Sequence, residues 1–98
     1  MEIFKTNTED ALTIALEGRL DTTTAPQLEA ELKGSYEGIT ALTLDFEKLE
    51  YISSAGLRVL LAAQKEMNKR GSMTVKNVCD DIKEVFDITG FSDILNIE

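Results

Sequence analysis

Histidine and tryptophan are absent from this 98-residue chain, and cysteine and proline occur once each. The missing histidine excludes the most chemistry: no Ser-His nucleophile pair, no histidine metal ligand and no phosphohistidine relay. Phosphate-cradling loops of the GxGxxG or GxxxxGK[ST] type are absent too. The single cysteine, Cys79, rules out an intrachain disulfide and fits a reducing compartment. Preceded by Val75 and Val78 and followed by two aspartates, it reads as a small buried or boundary residue rather than a reactive thiol. Cations are scarce. Ten Lys and Arg against eighteen Asp and Glu leave a net charge of −8, which opposes nucleic acid and favours a basic patch on another protein. No apolar run is long enough to cross a bilayer, and no basic-then-apolar signal opens the chain. The expectation is a cytoplasmic protein, without direct membrane insertion, that needs no cofactor and no metal.

What is present is a regular alternation of strand and helix signals. Leu12, Ile14 and Leu16 fall on one face of a strand, and Met1 to Thr6 is a weaker strand turned back by Asn7 to Asp10. Thr24-Ala25-Pro26-Gln27 reads as a capping box with proline in the first turn. Leu28, Leu32 and Tyr36 then form a helical stripe containing Gly34 and ended by Gly38. Leu42, Leu44 and Phe46 alternate along a strand through Asp45, and a short connection holds Leu49 and Ile52. A second helix carries Leu57, Leu60, Leu61 and Met67, widened by Val59, Ala62 and Ala63, and stops at Gly71. Met73 and Val75 suggest a strand through Val78. Asp81 opens a third helix with Ile82, Val85 and Phe86 inward, ended by Gly90, with Phe91 folding back and capping as the role of Asp80-Asp81. The last apolar residues, Ile94, Leu95 and Ile97, are left untyped. The order β-β-α-β-α-β-α implies one α/β domain over residues 1–98, with a mixed, mostly parallel sheet of four to five strands.

The most informative stretch is "YISSAGLRVLLAAQK", Tyr51 to Lys65. Serine is a leading helix N-cap, and Ser54 in that role places Ala55, Gly56 and Leu57 in the first turn. Ala55 and Gly56 are small, so they expose backbone and let another molecule approach. A helix N-terminus, with its partial positive charge and unpaired N–H groups, also tolerates a phosphate on serine. The residues alone leave both roles open, cap and switch. Catalysis by Ser54 lacks a base: histidine is absent, and no lysine follows three residues on.

"LDFEKLEYISSAGLRVLLAAQK", preceded by "LEGRLDTTTAPQLEAEL" and followed by "VFDITGFSDIL", resembles a STAS domain, and more narrowly the bacterial anti-sigma factor antagonists. The likeness covers nearly the whole chain. It implies a non-enzymatic switch in partner exchange. Unphosphorylated, such an antagonist binds an anti-sigma factor, which then releases its sigma factor. That anti-sigma factor is also an ATP-dependent serine kinase, and a PP2C-type phosphatase reverses the modification. Aligned on Gly56-Leu57, the modified residue is Ser54, with Ser53 the second choice. The family often has aspartate where Ser53 stands, and Ser or Thr where Ala55 stands. Asp21 matches another recurring position. With Thr22 and Thr23 it forms a candidate partner rim beside Ser53, Ser54, Ala55, Gly56, Leu57 and Arg58. An unmodified STAS subunit of a larger signalling assembly or of a lipid transporter is the alternative.

Overall fold

The computed structural model describes residues 1–98. Its elements are β1 (Glu2–Thr8), β2 (Ala11–Leu20), α1 (Ala25–Lys33), β3 (Ala41–Ile52), α2 (Ser54–Arg70), β4 (Ser72–Lys76) and α3 (Asp80–Thr89), followed by a 3-10 turn over Phe91–Asp93. The sheet order is β1-β2-β3-β4, antiparallel between the first pair and parallel thereafter. This is the expected mixed α/β architecture, with four strands. No helix is long and apolar enough to cross a membrane.

Alternation along the strands decides which face is covered. Leu12, Ile14 and Leu16 of β2, Leu42, Leu44 and Phe46 of β3, and Met73 and Val75 of β4 are all buried. They meet Leu28 and Leu32 of α1, Leu57, Leu60 and Met67 of α2, and Ile82 and Phe86 of α3 in one hydrophobic cluster. Burying each large side chain contributes about 1.5–3 kcal/mol, which is what ties three short helices to a small sheet. Thr13 and Thr43, which point the other way, stay partly exposed. Gln64 is the single buried polar side chain; its amide donates to Asn68, while its carbonyl oxygen has no partner.

Several boundaries differ from expectation. β3 does not end near Asp45 but continues through Leu49 to Ile52. Asp45 faces Lys76, the last residue of β4, so beyond it β2 and β3 run on together without β4. At about 3.3 Å per residue, Ile52 stands roughly 20 Å beyond the end of β4. Two register shifts occur in this extension, each with one extra residue on β3. That is the mark of β-bulges, and it hid the strand from a strict period of two. β4 likewise stops at Lys76, short of Val78.

Helix ends also differ from expectation. α1 stops at Lys33 with Gly34 as its cap, so Tyr36 lies outside the helix, half-buried with the Arg70 guanidinium over its ring. Ser35 ends that turn by donating its hydroxyl to the Glu31 carbonyl. Thr24 is the N-cap of α1, but no capping box forms. Its backbone is already helical, which turns the hydroxyl back toward the preceding loop, and Gln27 donates to the Met1 carbonyl instead. Cys79 is exposed rather than buried, because it is the N-cap of α3 with extended backbone. Asp80 and Asp81 form no side-chain cap; as first-turn acids they favour the positive end of the helix. Gly90 terminates α3 in a left-handed conformation, and Phe91 stacks back on Phe86 as expected. The last residues add an edge: Ile97 bridges to Val75 of β4.

Candidate functional site

The two serines at the mouth of α2 have different positions and different tasks. Ser53, not Ser54, is the N-cap. Its N–H donates to the Leu20 carbonyl at 2.9 Å, which holds its backbone extended at the end of β3. From there its Oγ accepts the Gly56 N–H at 3.3 Å, while its carbonyl accepts the Leu57 N–H at 2.9 Å. Ser54 is therefore the first helical residue. It is exposed, and none of the hydrogen bonds at this helix mouth uses its hydroxyl.

Gly56 and Leu57 face inward, so they are not part of a surface. A Cβ on Gly56 would lie 2.8 Å from Leu20 Cγ and 2.9 Å from Ile52 Cγ1. The glycine makes room for the ends of β2 and β3, and the approach it permits is internal. Leu57 is 7% exposed. What α2 presents outward from this stretch is Ser54 and Arg58, with Ala55 half-buried between them and the core.

The loop after β2 closes on itself. Asp21 Oδ1 accepts the N–H groups of Thr23 and Thr24 at 3.0 and 3.1 Å. The Thr24 hydroxyl donates to the Arg19 carbonyl at 2.7 Å and accepts the Asp21 N–H at 2.8 Å. The Thr24 N–H beside the Asp21 carboxyl holds it below the usual carboxylate range, aided by the Thr24 hydroxyl, the Thr23 N–H and the Arg19 guanidinium. Asp21 stands in this loop, and the knot is tied by Thr24, a role that its reading as a helix cap does not include. The spacing Asp-x-x-Thr was its signal, obscured by the reading of Thr24 as a helix cap.

The two mouths meet. Leu20 and Ile52 are register partners, so Asp21 and Ser53 leave the sheet side by side. Between α1 and α2 runs a shallow cleft of about 210 Å³, lined by Thr22, Ala25, Pro26, Ala55, Arg58 and neighbouring residues. Of the nine predicted residues, Asp21, Thr22, Thr23, Ser53, Ser54, Ala55 and Arg58 thus share one projecting end of the molecule, with Gly56 and Leu57 beneath them. The arrangement offers an unengaged hydroxyl beside an ordered, acidic loop.

Comparison with known proteins gives a consistent set of matches. A family profile described as STAS domain matches residues 3–98. BtrV of Bordetella bronchiseptica, provisionally named an anti-sigma factor antagonist, is 38% identical over 91 residues, spanning 90% of this chain and 78% of that protein. The anti-sigma-B factor antagonist of Listeria monocytogenes is 34% identical over 92 residues, spanning 91% and 80%. Among solved structures, SpoIIAA of Bacillus, an anti-sigma factor antagonist, superposes in its unphosphorylated form with a TM-score of 0.78 over 99% of this chain and 87% of that one. Its phosphorylated form gives 0.77 over 99% and 91%. At 21% identity, these two likenesses speak to the fold.

Proposed function

The chain belongs to the STAS domain family, and from that membership, with the free serine at the mouth of α2, we propose that it is an anti-sigma factor antagonist switched by phosphorylation of Ser54. On this reading residues 1–98 act as one STAS domain and bind an anti-sigma factor through the Asp21–Thr23 loop, Ser53, Ser54, Ala55 and Arg58. A standard interface covers roughly 800 Å² per partner, more than this rim alone, so neighbouring surface takes part. The partner is a serine kinase that brings its own ATP and Mg²⁺. Ser54 Oγ forms a bond to the γ-phosphorus, the bond to ADP breaks, and the hydroxyl proton passes to the kinase. A PP2C-type phosphatase returns the serine by hydrolysis.

The division of labour between the serines carries the reading. Ser53 holds the cap, so modification of Ser54 breaks no hydrogen bond of the fold. A phosphate there adds about −1.5 to −2 charges at pH 7. On a chain of net −8 that charge acts on the partner, by repulsion and bulk at the contact, while the positive end of α2 accommodates it. The solved phosphorylated and unphosphorylated forms of SpoIIAA, which share this fold, are in keeping with a modification that leaves the fold in place.

Phosphopeptide mapping of the native protein from growing and stressed cells tests this. Trypsin releases Leu49 to Arg58, and fragmentation separates the two serines. Phosphate on Ser54 that varies with growth state is the expected result. Phosphate confined to Ser53 would overturn the assignment. Neither serine modified in any condition would turn the reading to an unmodified STAS subunit of a larger assembly or transporter.

A further inference from the structure

The projecting end has a second side, formed by the sheet, that no predicted residue occupies. The second bulge of β3 lies here: Gly18 pairs with Leu49, but Arg19 pairs with Tyr51 rather than with Glu50. In regular register Arg19 would face a carboxylate. The inserted residue instead sets an aromatic ring opposite it, and the Arg19 guanidinium carbon lies 4.2 Å from the ring centroid. Bulges commonly re-aim a side chain in this way. Leu20 and Ile52, the next pair, are buried, so Arg19 and Tyr51 point to the solvent side of the sheet. Tyr51 remains 40% exposed.

The pair is fixed to the switch on both sides. The Arg19 carbonyl accepts the Thr24 hydroxyl that knots the Asp21 loop, and Ile52 separates Tyr51 from Ser53 by a single residue. The guanidinium lies over the ring, and its N–H donors make no hydrogen bond within the fold. Its one nearby carboxylate, Asp21, is 3.9 Å from Nε and already accepts two backbone N–H groups through its other oxygen. Tyrosine and arginine are enriched among the few residues that carry most of the binding energy at interfaces, and the planar fork is matched to a carboxylate.

We propose that Arg19 and Tyr51 form a second contact of the switch surface, on the sheet side of Ser54, receiving a carboxylate-bearing side chain of the same anti-sigma kinase. The inference rests on the function proposed above and adds the partner's chemistry at this contact. The cation also explains how so acidic a protein engages its partner beside Asp21: the surface there is of mixed sign, and a uniformly basic partner face would not fit it.

The test is the initial rate of thiophosphate transfer to Ser54 from ATPγS, with purified variants added to a soluble extract of the native cells. The thiophosphoester resists phosphatases, so the rate reports the kinase. Tyr51→Ala and Arg19→Ala should label roughly tenfold more slowly than wild type, with unchanged thermal melts. Tyr51→Phe, which keeps the ring, should label normally. So should Ile88→Ala, at an exposed apolar side chain of α3. Arg19→Glu should be slower than Arg19→Ala; equal rates would overturn the assignment of a carboxylate. Wild-type rates in all Arg19 and Tyr51 variants would overturn the contact and leave the Ser54 switch standing. No labelling of Ser54 in the wild type would instead remove the switch and the contact with it.

Discussion

The mouths of α1 and α2 sit side by side at the carboxyl ends of β2 and β3, yet they are built in opposite ways. At α1 the capping residue, Thr24, gives its hydroxyl away to the loop behind it, and the helix starts without a side-chain cap. Its loop is held by Asp21, a charged residue whose Oδ1 is engaged by backbone N–H groups. At α2 the cap is satisfied by Ser53 and the space is closed by Gly56, and the next hydroxyl, on Ser54, is left unengaged. One mouth is an ordered electrostatic rim; the other is a stable socket bearing an unengaged hydroxyl. A switch needs both: the modified group must be dispensable to the fold, and the surface around it must be rigid enough for one phosphate to matter.

The largest expected effect comes from filling the socket. An exposed helical glycine replaced by alanine gains stability, by about 1 kcal/mol. Gly56→Ala should do the reverse, because its Cβ meets Leu20 Cγ and Ile52 Cγ1 inside 3 Å, and neither atom is the loose end of a long chain. Gly56→Val should cost more, on the order of 1–3 kcal/mol for overpacking. In a domain of this size that is a fall in Tm of roughly 5–20 °C. Thermal and urea unfolding measure it. A Gly56→Ala protein as stable as wild type would mean that the helix can shift away from the sheet, and that the socket is looser than its contacts indicate.

Next comes the contrast between the serines themselves. Ser53→Ala removes the acceptor for the Gly56 N–H and should cost about 1 kcal/mol, whereas Ser54→Ala should stay within about 0.5 kcal/mol of wild type. The same pair should behave oppositely in phosphorylation, which Ser54→Ala abolishes and Ser53→Ala permits. Urea denaturation with phosphate mapping of both variants reads the two axes together. Equal losses of stability would show that Ser54 shares the cap, and would undo the separation on which the switch reading depends.

How much of this was legible from residues alone follows from what each signal depends on. The strand faces of Leu12-Ile14-Leu16 and Leu42-Leu44-Phe46, and the helix that runs to Arg70 and stops at Gly71, were readable because burial imposes a period that local sequence carries. The segment from Glu47 to Ile52 was not, because two bulges break the period where the strand is most exposed. The capping serine was misassigned by one residue because Ser53 and Ser54 are chemically identical. Only the anchor to the Leu20 carbonyl, a tertiary contact, chooses between them. Gly56 was read as open to solvent for the same reason: smallness shows in the sequence, but what fills the space does not. The Arg19–Tyr51 stack depends on a register shift and left no local trace.

The smallest effect concerns the other mouth and is read by pH. Hydrogen bonds led by the Thr24 N–H lower the Asp21 pKa, so the unfolded chain binds a proton at this carboxyl at higher pH than the folded one. The contribution to stability is therefore present above the ordinary aspartate pKa, about 3.9, and is lost as the pH falls through the depressed folded value. Because the group is solvent-accessible, the loss should be local loosening of the loop rather than unfolding. The amide resonances of Thr23 and Thr24 report it directly. Both should titrate together with a midpoint below that of an unstructured aspartate, and Asp21→Asn should flatten both curves while leaving the Gly56 amide, bonded to Ser53, unmoved. If the Gly56 amide titrates with them, the two mouths are one coupled unit, and a phosphate on Ser54 would be felt at Asp21 through the structure as well as through space.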